Sequence, residues 1–268
     1  MRLYSAADLS GPPLEFNSST PTIAIGWSAD GSRLWSIAAE GQAGVWQVNL
    51  AARTANNVWV GQLAPEVLTD PGSMLGAQPL LAAMSGGGSI VVKGPAQGDW
   101  DDGWPGHSSP LNAFAWTSDG ARTASASDDS ILVWEAGRGR SLLVPGGTLP
   151  RANALAWSPD GSRIASAGDD GAITIWLAAT RQPLAVLPLG EGLIHCVAWS
   201  PDGRWLAAGT VTGAVVVLDA QASAPRITFR EEAPVVSVAW SPDGSRLLAS
   251  TDSKSETVGG RLHLWRLP

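Results

Sequence analysis

The sequence predicts an all-β fold assembled from repeated four-stranded sheets, and three observations carry that prediction. A tryptophan-centred segment recurs along the chain, the pattern inside each segment alternates with period two, and tight-turn residues separate the alternating runs. The recurrences are "IGWSADGSRLW" at Trp27, "FAWTSDGARTA" at Trp116, "LAWSPDGSRIA" at Trp157, "VAWSPDGRWLA" at Trp199 and "VAWSPDGSRLL" at Trp240. Steps from Trp116 onward are 41, 42 and 41 residues. Trp27 and Trp116 lie 89 apart, which leaves room for one more unit with Met74 in the tryptophan slot and an eroded motif. Four short antiparallel strands every ~40–45 residues describe a radially repeated blade. Residues 1–268 therefore read as a single β-propeller domain with blades anchored near Trp27, Met74, Trp116, Trp157, Trp199 and Trp240.

Within the unit at Trp157, "NALAWS" alternates and gives the first strand, with Leu155 and Trp157 on one face. Ser-Pro-Asp-Gly then makes a turn: Pro159 fixes φ, Asp160 bonds nearby amides, and Gly161 accepts an unusual φ. "RIASAG" is the second strand, "DDG" the second turn and "AITIW" the third strand; "PLAVLPL" at 183–189 is a looser fourth. No segment carries a convincing amphipathic helix. A buried aromatic removes about 150–250 Å² from water, on the order of 4–6 kcal/mol gross at ~25 cal/mol/Å², as an upper bound. Fourteen tryptophans, most at repeating positions, are thus accounted for by packing between blades.

These residues resemble the WD-repeat β-propeller family over nearly the whole chain. The third-strand tryptophan of that family corresponds to Trp46, Trp134, Trp176 and Trp265, with Lys93 and Leu218 in the slot elsewhere. Only Leu218 is followed by the aspartate that gives the family its name, Asp219. "WSPDG" also occurs in TolB-like propellers; the "DDG" turn before a Trp-ended strand favours the WD type. The resemblance implies a hydrogen-bonded structural tetrad of His107, Ser127, Asp129 and Trp134 in the one unit that matches it. It also implies a noncatalytic protein-interaction scaffold within a multiprotein complex, without a cofactor.

Counting 23 residues back from Trp27, the third-to-first-strand spacing, lands on Tyr4. "RLYS" thus looks like a third strand and "PPLEF" a fourth, while "RLHLWRLP" ends the chain on a third strand. The simplest closure uses residues 13–17 as the terminal strand of the last blade and gives six blades. The alternative is a seven-bladed ring with one incomplete blade, filled by a strand-donating partner near residues 1–16.

Composition narrows the partners. A net charge of −7 and a pI near 4.9 argue against nucleic acid, which needs clustered cations. No apolar run approaches the roughly 20 residues of a membrane span, and the first residues lack an apolar leader core. Cys196 is the sole cysteine, so neither an internal disulfide nor a cysteine zinc cage can form. The expectation is a cytoplasmic protein; two lysines against 15 arginines, with abundant Ala and Gly, suggest a GC-rich bacterial genome.

Candidate chemistry is sparse. His107, Ser127 and Asp129 superficially match a hydrolase triad, but the family places that serine inside the blade, away from substrate. His195 and His263 fall in other blades, so a shared metal site is not expected. "GDWDDGWPGH" alternates Asp99, Asp101 and Asp102 with Trp100 and Trp104, either an outer strand or an aromatic-acidic recognition patch. Its spacing lacks the order of a calcium loop. The fourth-to-first connections and second-to-third turns share one face of the disc. They gather Glu40, Asp128, Asp169, Asp170, Glu191, Arg230, Glu231, Glu232, Asp252 and the loop at 251–260. That face is acidic and calls for a partner protein with a basic surface. The alternative is a peptide or small-ligand sensor using the same face. An enzyme would need titratable groups repeated at the central channel, and none is repeated there.

Overall fold

The computed structural model describes the backbone of the strands named below. Side chains are described at 107–109, 112–119, 121–128, 130–135, 151–221, 227–251 and 263–267. The chain begins with β1 (Arg2–Ser5) and β2 (Leu14–Glu15). The first unit holds β3 (Thr22–Trp27), β4 (Arg33–Ala38), β5 (Gln42–Asn49) and β6 (Thr54–Gln62), and the second β7 (Leu81–Met84) and β8 (Ile90–Lys93). The third runs through β9 (Leu111–Trp116), β10 (Arg122–Ser127), β11 (Ile131–Glu135) and β12 (Arg140–Leu143). The fourth has β13 (Ala152–Trp157), β14 (Arg163–Gly168), β15 (Ala172–Leu177) and β16 (Pro183–Pro188). The fifth has β17 (Ile194–Trp199), β18 (Trp205–Thr210), β19 (Ala214–Asp219) and β20 (Pro225–Arg230), and β21 (Val235–Trp240), β22 (Arg246–Thr251) and β23 (Leu262–Arg266) follow.

The first, third, fourth and fifth units are each a four-stranded antiparallel meander in sequence order. First strands stand beside one another in succession, β9 with β13, β13 with β17, β17 with β21, and β21 with β3. The last blade therefore packs against the first unit of the chain. Burial explains the residue choice. β10, β14, β18 and β22 are buried from their second residue to their last, because each lies between two strands of its own sheet and under a neighbouring blade. Small residues such as Ala124, Ala165, Ala207 and Ala249, all fully buried, let adjacent sheets approach. The outer β16 is mostly exposed.

Each Ser-Pro-Asp-Gly turn closes around its aspartate. The Ser158 hydroxyl donates to Asp160 at 2.6 Å, and the Ser162 amide donates to the same carboxylate at 3.0 Å. Gly161 has φ of 64°, in the left-handed region. Ser200–Asp202, Ser241–Asp243 and Thr117–Asp119 repeat the bond. The hydroxyl donor, the turn amide and, in two turns, a second serine hydroxyl pull Asp160 and Asp243 down to about 2. Asp119 and Asp202 are lowered for the same first cause.

A clasp joins successive blades. The Trp157 indole N–H donates to the Ala115 carbonyl at 3.0 Å; Trp199 does so to Ala156 and Trp240 to Ala198, both at 3.2 Å. From the preceding blade, Arg122 stacks over the Trp157 ring at 5.0 Å and donates to the Gly161 carbonyl at 2.7 Å. Arg163 treats Trp199 and Gly203 alike, at 4.8 and 3.3 Å. Trp205 occupies the arginine slot of the fifth blade, and there Arg204 stacks on Trp205 instead.

The outer edge of β23 is paired differently from the sequence expectation. β1, not the segment at 13–17, lies beside β23, and it runs parallel to it with Leu3 opposite Leu262. β2 pairs antiparallel outside β1, giving the order β2-β1-β23-β22-β21. Alternation specifies which residues form a strand but not its direction, because an exposed sheet edge satisfies a parallel or an antiparallel neighbour. The surplus strand is thereby used within the chain.

Replacing Arg163 with Ala removes a cation–π contact and a hydrogen bond, and is expected to lower stability by about 1 kcal/mol in urea unfolding. The depressed carboxyls make stability pH-dependent with a fixed sign. Their contribution is complete above the ordinary carboxyl value near ~4 and is lost as pH falls toward 2. Asp160→Asn flattens that acid limb in a pH series of unfolding midpoints, relative to the parent chain.

Candidate functional site

His107 precedes β9 and is buried, although its chemistry is polar. The ring is held between the second and third strands of its blade. Nδ1 lies 2.7 Å from the Ser127 hydroxyl and 2.9 Å from that of Ser130, and Nε2 lies 2.7 Å from Ser125 Oγ. The Trp134 indole N–H donates to Ser125 Oγ at 2.8 Å. Ser125 thus links histidine to tryptophan, and Ser127 contacts the opposite side of the ring. Sequence reading selected Ser127 and missed Ser125 and Ser130. The available signal was the repeat itself, since Ser125 follows Trp116 by nine residues as Ser166 follows Trp157. Asp129 lies outside the described residues.

This cluster holds its blade together. Ser125 and Trp134 are fully buried and Ser127 is 3% exposed, so the Ser125 and Ser127 hydroxyls are enclosed within the blade. Hydroxyl partners at both ring nitrogens also fix the imidazole, which satisfies polar groups that would otherwise be costly inside a sheet stack.

The loop face carries charges that are paired both within and between blades. Asp128 accepts from Arg151 Nε at 3.0 Å and from the Asn112 side-chain amide at 2.7 Å; Arg151 also reaches Asn112 at 3.1 Å. Asp169 accepts from the Asn153 amide at 2.7 Å. Arg230 and Glu191 form a two-pronged pair with both bonds at 2.7 Å. Glu231 Oε2 lies 3.1 Å from His263 Nε2, whose ring stacks on Trp265. Glu231 precedes Trp240 by nine residues, as His107 precedes Trp116, so a carboxylate fills the histidine slot of the last blade. Of the residues selected for partner binding, Asp128, Asp169, Arg230 and Glu231 therefore stand on this face with internal partners. Trp100, Asp101, Asp102 and Trp104 lie outside the described residues. Sequence reading did not select Asn112, Arg151, Asn153 or the Glu231–His263 pairing.

The remaining candidates are dispersed. His195 is exposed on β17, far along the chain from the other two histidines. Burial pushes the Cys196 thiol up to about 12, and the sulfur packs against Gly209, where a Cβ would come within 2.6 Å of it. Among the described residues no group of three His, Cys, Asp or Glu side chains is placed to hold a metal, and no helix is long and apolar enough to cross a membrane.

Replacing His107 with Ala leaves a void and unpaired serine hydroxyls, and is expected to cost about 2–3 kcal/mol in denaturant unfolding.

Comparison with known families agrees with this geometry. The WD domain, G-beta repeat model matches residues 102–135, 145–176 and 224–265, spans ending at or next to Trp134, Trp176 and Trp265. The model of the anaphase-promoting complex subunit 4 WD40 domain matches residues 189–243, across β17–β20 and through β21. None of the curated proteins matches the chain. Those matches fall on successive sheets that repeat one clasp and one turn, and they support a WD-repeat family for this chain.

Proposed function

We propose that this chain is a noncatalytic protein-interaction scaffold, built as a closed six-bladed ring, whose loop face receives a partner with a basic surface. WD40 domains generally act as protein-interaction scaffolds. The observation that carries the reading is the enclosure of His107 and its serines within the blade. The residues most able to do chemistry are committed to internal bonds, which leaves recognition to the loops.

Six blades fit the described strands, since β7 and β8 supply the middle of a unit between β6 and β9. The described part of the loop face holds Asp128, Asp169, Asp170, Glu191, Glu231 and Glu232 against Arg151 and Arg230. Internal pairing reduces this acidic excess without cancelling it, and Asp169, Asp170 and Glu232 are exposed. Strand donation by a partner has less support, because β1 and β2 already cover the outer edge of β23.

The test is capture of partners from the source cell followed by association kinetics with the partner found. Asp169→Lys combined with Glu232→Lys is expected to slow association about tenfold at low salt, with parent and variant converging as salt rises. Equal rates at low salt would remove the loop face from the proposal.

A further inference from the structure

The third and fourth blades carry the same asparagine–aspartate pair on the loop face. Asn112 precedes Trp116 by four residues and Asp128 follows it by twelve; Asn153 and Asp169 stand at the same offsets from Trp157. In both blades the asparagine side-chain amide donates to the aspartate Oδ1 at 2.7 Å. That bond leaves the asparagine side-chain carbonyl and the carboxylate as neighbouring acceptors.

In the third blade one guanidinium takes both acceptors. Arg151, at the start of the fourth blade, reaches back with Nε 3.0 Å from Asp128 Oδ1 and with Nη2 donating to Asn112 Oδ1 at 3.1 Å. One blade further on, the same place belongs to Leu193. It precedes Trp199 by six residues, as Arg151 precedes Trp157. Its carbonyl accepts from the Val211 amide at 3.1 Å, as the Arg151 carbonyl accepts from the Asp169 amide at 3.2 Å. Leucine has no donor to offer the fourth-blade pair. Among the described residues, the side chains of Asn153 and Asp169 bond only to each other. The two described arginines of this face are engaged elsewhere, Arg151 with the third blade and Arg230 with Glu191. β13, β14, the connection at 189–193 and β17, which frame the pair, all lie within the described residues, and Asp169 is exposed.

We propose that Asp169 and Asn153 receive an arginine side chain presented by the partner protein, in the way that Asp128 and Asn112 hold Arg151. The chain itself shows which ligand such a pair accepts. It shows too that the contact forms at an open surface, since the Arg151 and Asp128 side chains remain 52% and 57% exposed. Two acceptors fixed by the bond between them match two N–H groups of a planar guanidinium fork, whereas the ammonium of lysine is a point charge that gains less from their spacing. Asp170 beside Asp169 and the net charge of −7 draw a cationic partner to the same face. The fifth blade has His195 and Val211 at the two offsets, so the pair is not continued there and the arginine site is local to the seam between the fourth and fifth blades. This inference rests on the scaffold reading for its partner and adds which residue that partner presents.

The experiment titrates the full chain with acetyl-Arg-Gly-Arg-Gly-Arg-amide and with its lysine counterpart of equal charge, following side-chain amide resonances of asparagine. The arginine peptide is expected to bind about fivefold more tightly than the lysine peptide and to shift the Asn153 resonances. Asp169→Asn and Leu193→Arg are each expected to bring the two peptides level, the first by removing the charge and the second by supplying the guanidinium from within. Glu232→Gln, which removes one charge elsewhere on the face, is expected to weaken both peptides and keep their ratio. Equal binding of the two peptides to the parent chain overturns the proposal. So does an arginine preference that survives in Asp169→Asn, an exposed substitution that leaves the fold intact, or in folded Leu193→Arg, and so does a preference that Glu232→Gln abolishes. Because the peptides carry equal charge, these failures leave the scaffold reading standing; that reading fails separately, on partner association indifferent to charge at the loop face.

Discussion

The clasp between an indole of one blade and the backbone of the blade before it is the interaction on which the rest depends. A four-stranded sheet has two faces, and neither is covered by its own chain segment. Trp157, Trp199 and Trp240 cover them from the neighbour, and the polar end of each indole is satisfied only by a carbonyl of the previous first strand. Position is thereby fixed as well as burial. Rotating or sliding one blade would break the N–H bond together with the arginine stacked above the ring. The rigid turns at Asp160 and Asp202 serve the same end, because they present the glycine carbonyls to which those arginines reach.

Polar chemistry inside this stack takes different forms from blade to blade. The third blade encloses an imidazole among three serines. The last blade uses a carboxylate at the corresponding position and pairs it with His263, drawn from its third strand. The fifth has Gly190 there. Such variation is tolerated because the clasp, and not the internal network, sets the spacing of the sheets. A network released from that duty is free to diverge.

Much of the fold was legible in the sequence because each strand and turn is a local pattern. Trp157 and the Pro159-Asp160-Gly161 turn announce the first hairpin of their blade by residue type alone. Side-chain pairing was less legible. Arg151 finds Asn112, and Arg230 finds Glu191, at separations of 39 residues, close to one full repeat. Those contacts exist only once neighbouring blades are side by side, so an acidic loop face read from composition shows its carboxylates without their partners. Ser125 was missed for a different reason. It and Ser127 point the same way from one strand, and choosing between them requires the position of the Trp134 indole, which depends on the register of the third strand. The direction of β1 was likewise undetermined by its own residues.

The parallel seam between Arg2–Ser5 and Leu262–Arg266 has a kinetic consequence. Every other described pairing within the blades links neighbours in sequence, and such hairpins form quickly as local events. This one joins segments some 260 residues apart, so its loop-closure cost falls late, after the intervening sheets have shortened the effective path between the two segments. Until it forms, β23 has an uncovered margin able to recruit the wrong strand, and the period before fastening is when the chain is most exposed to mispairing with another copy of itself.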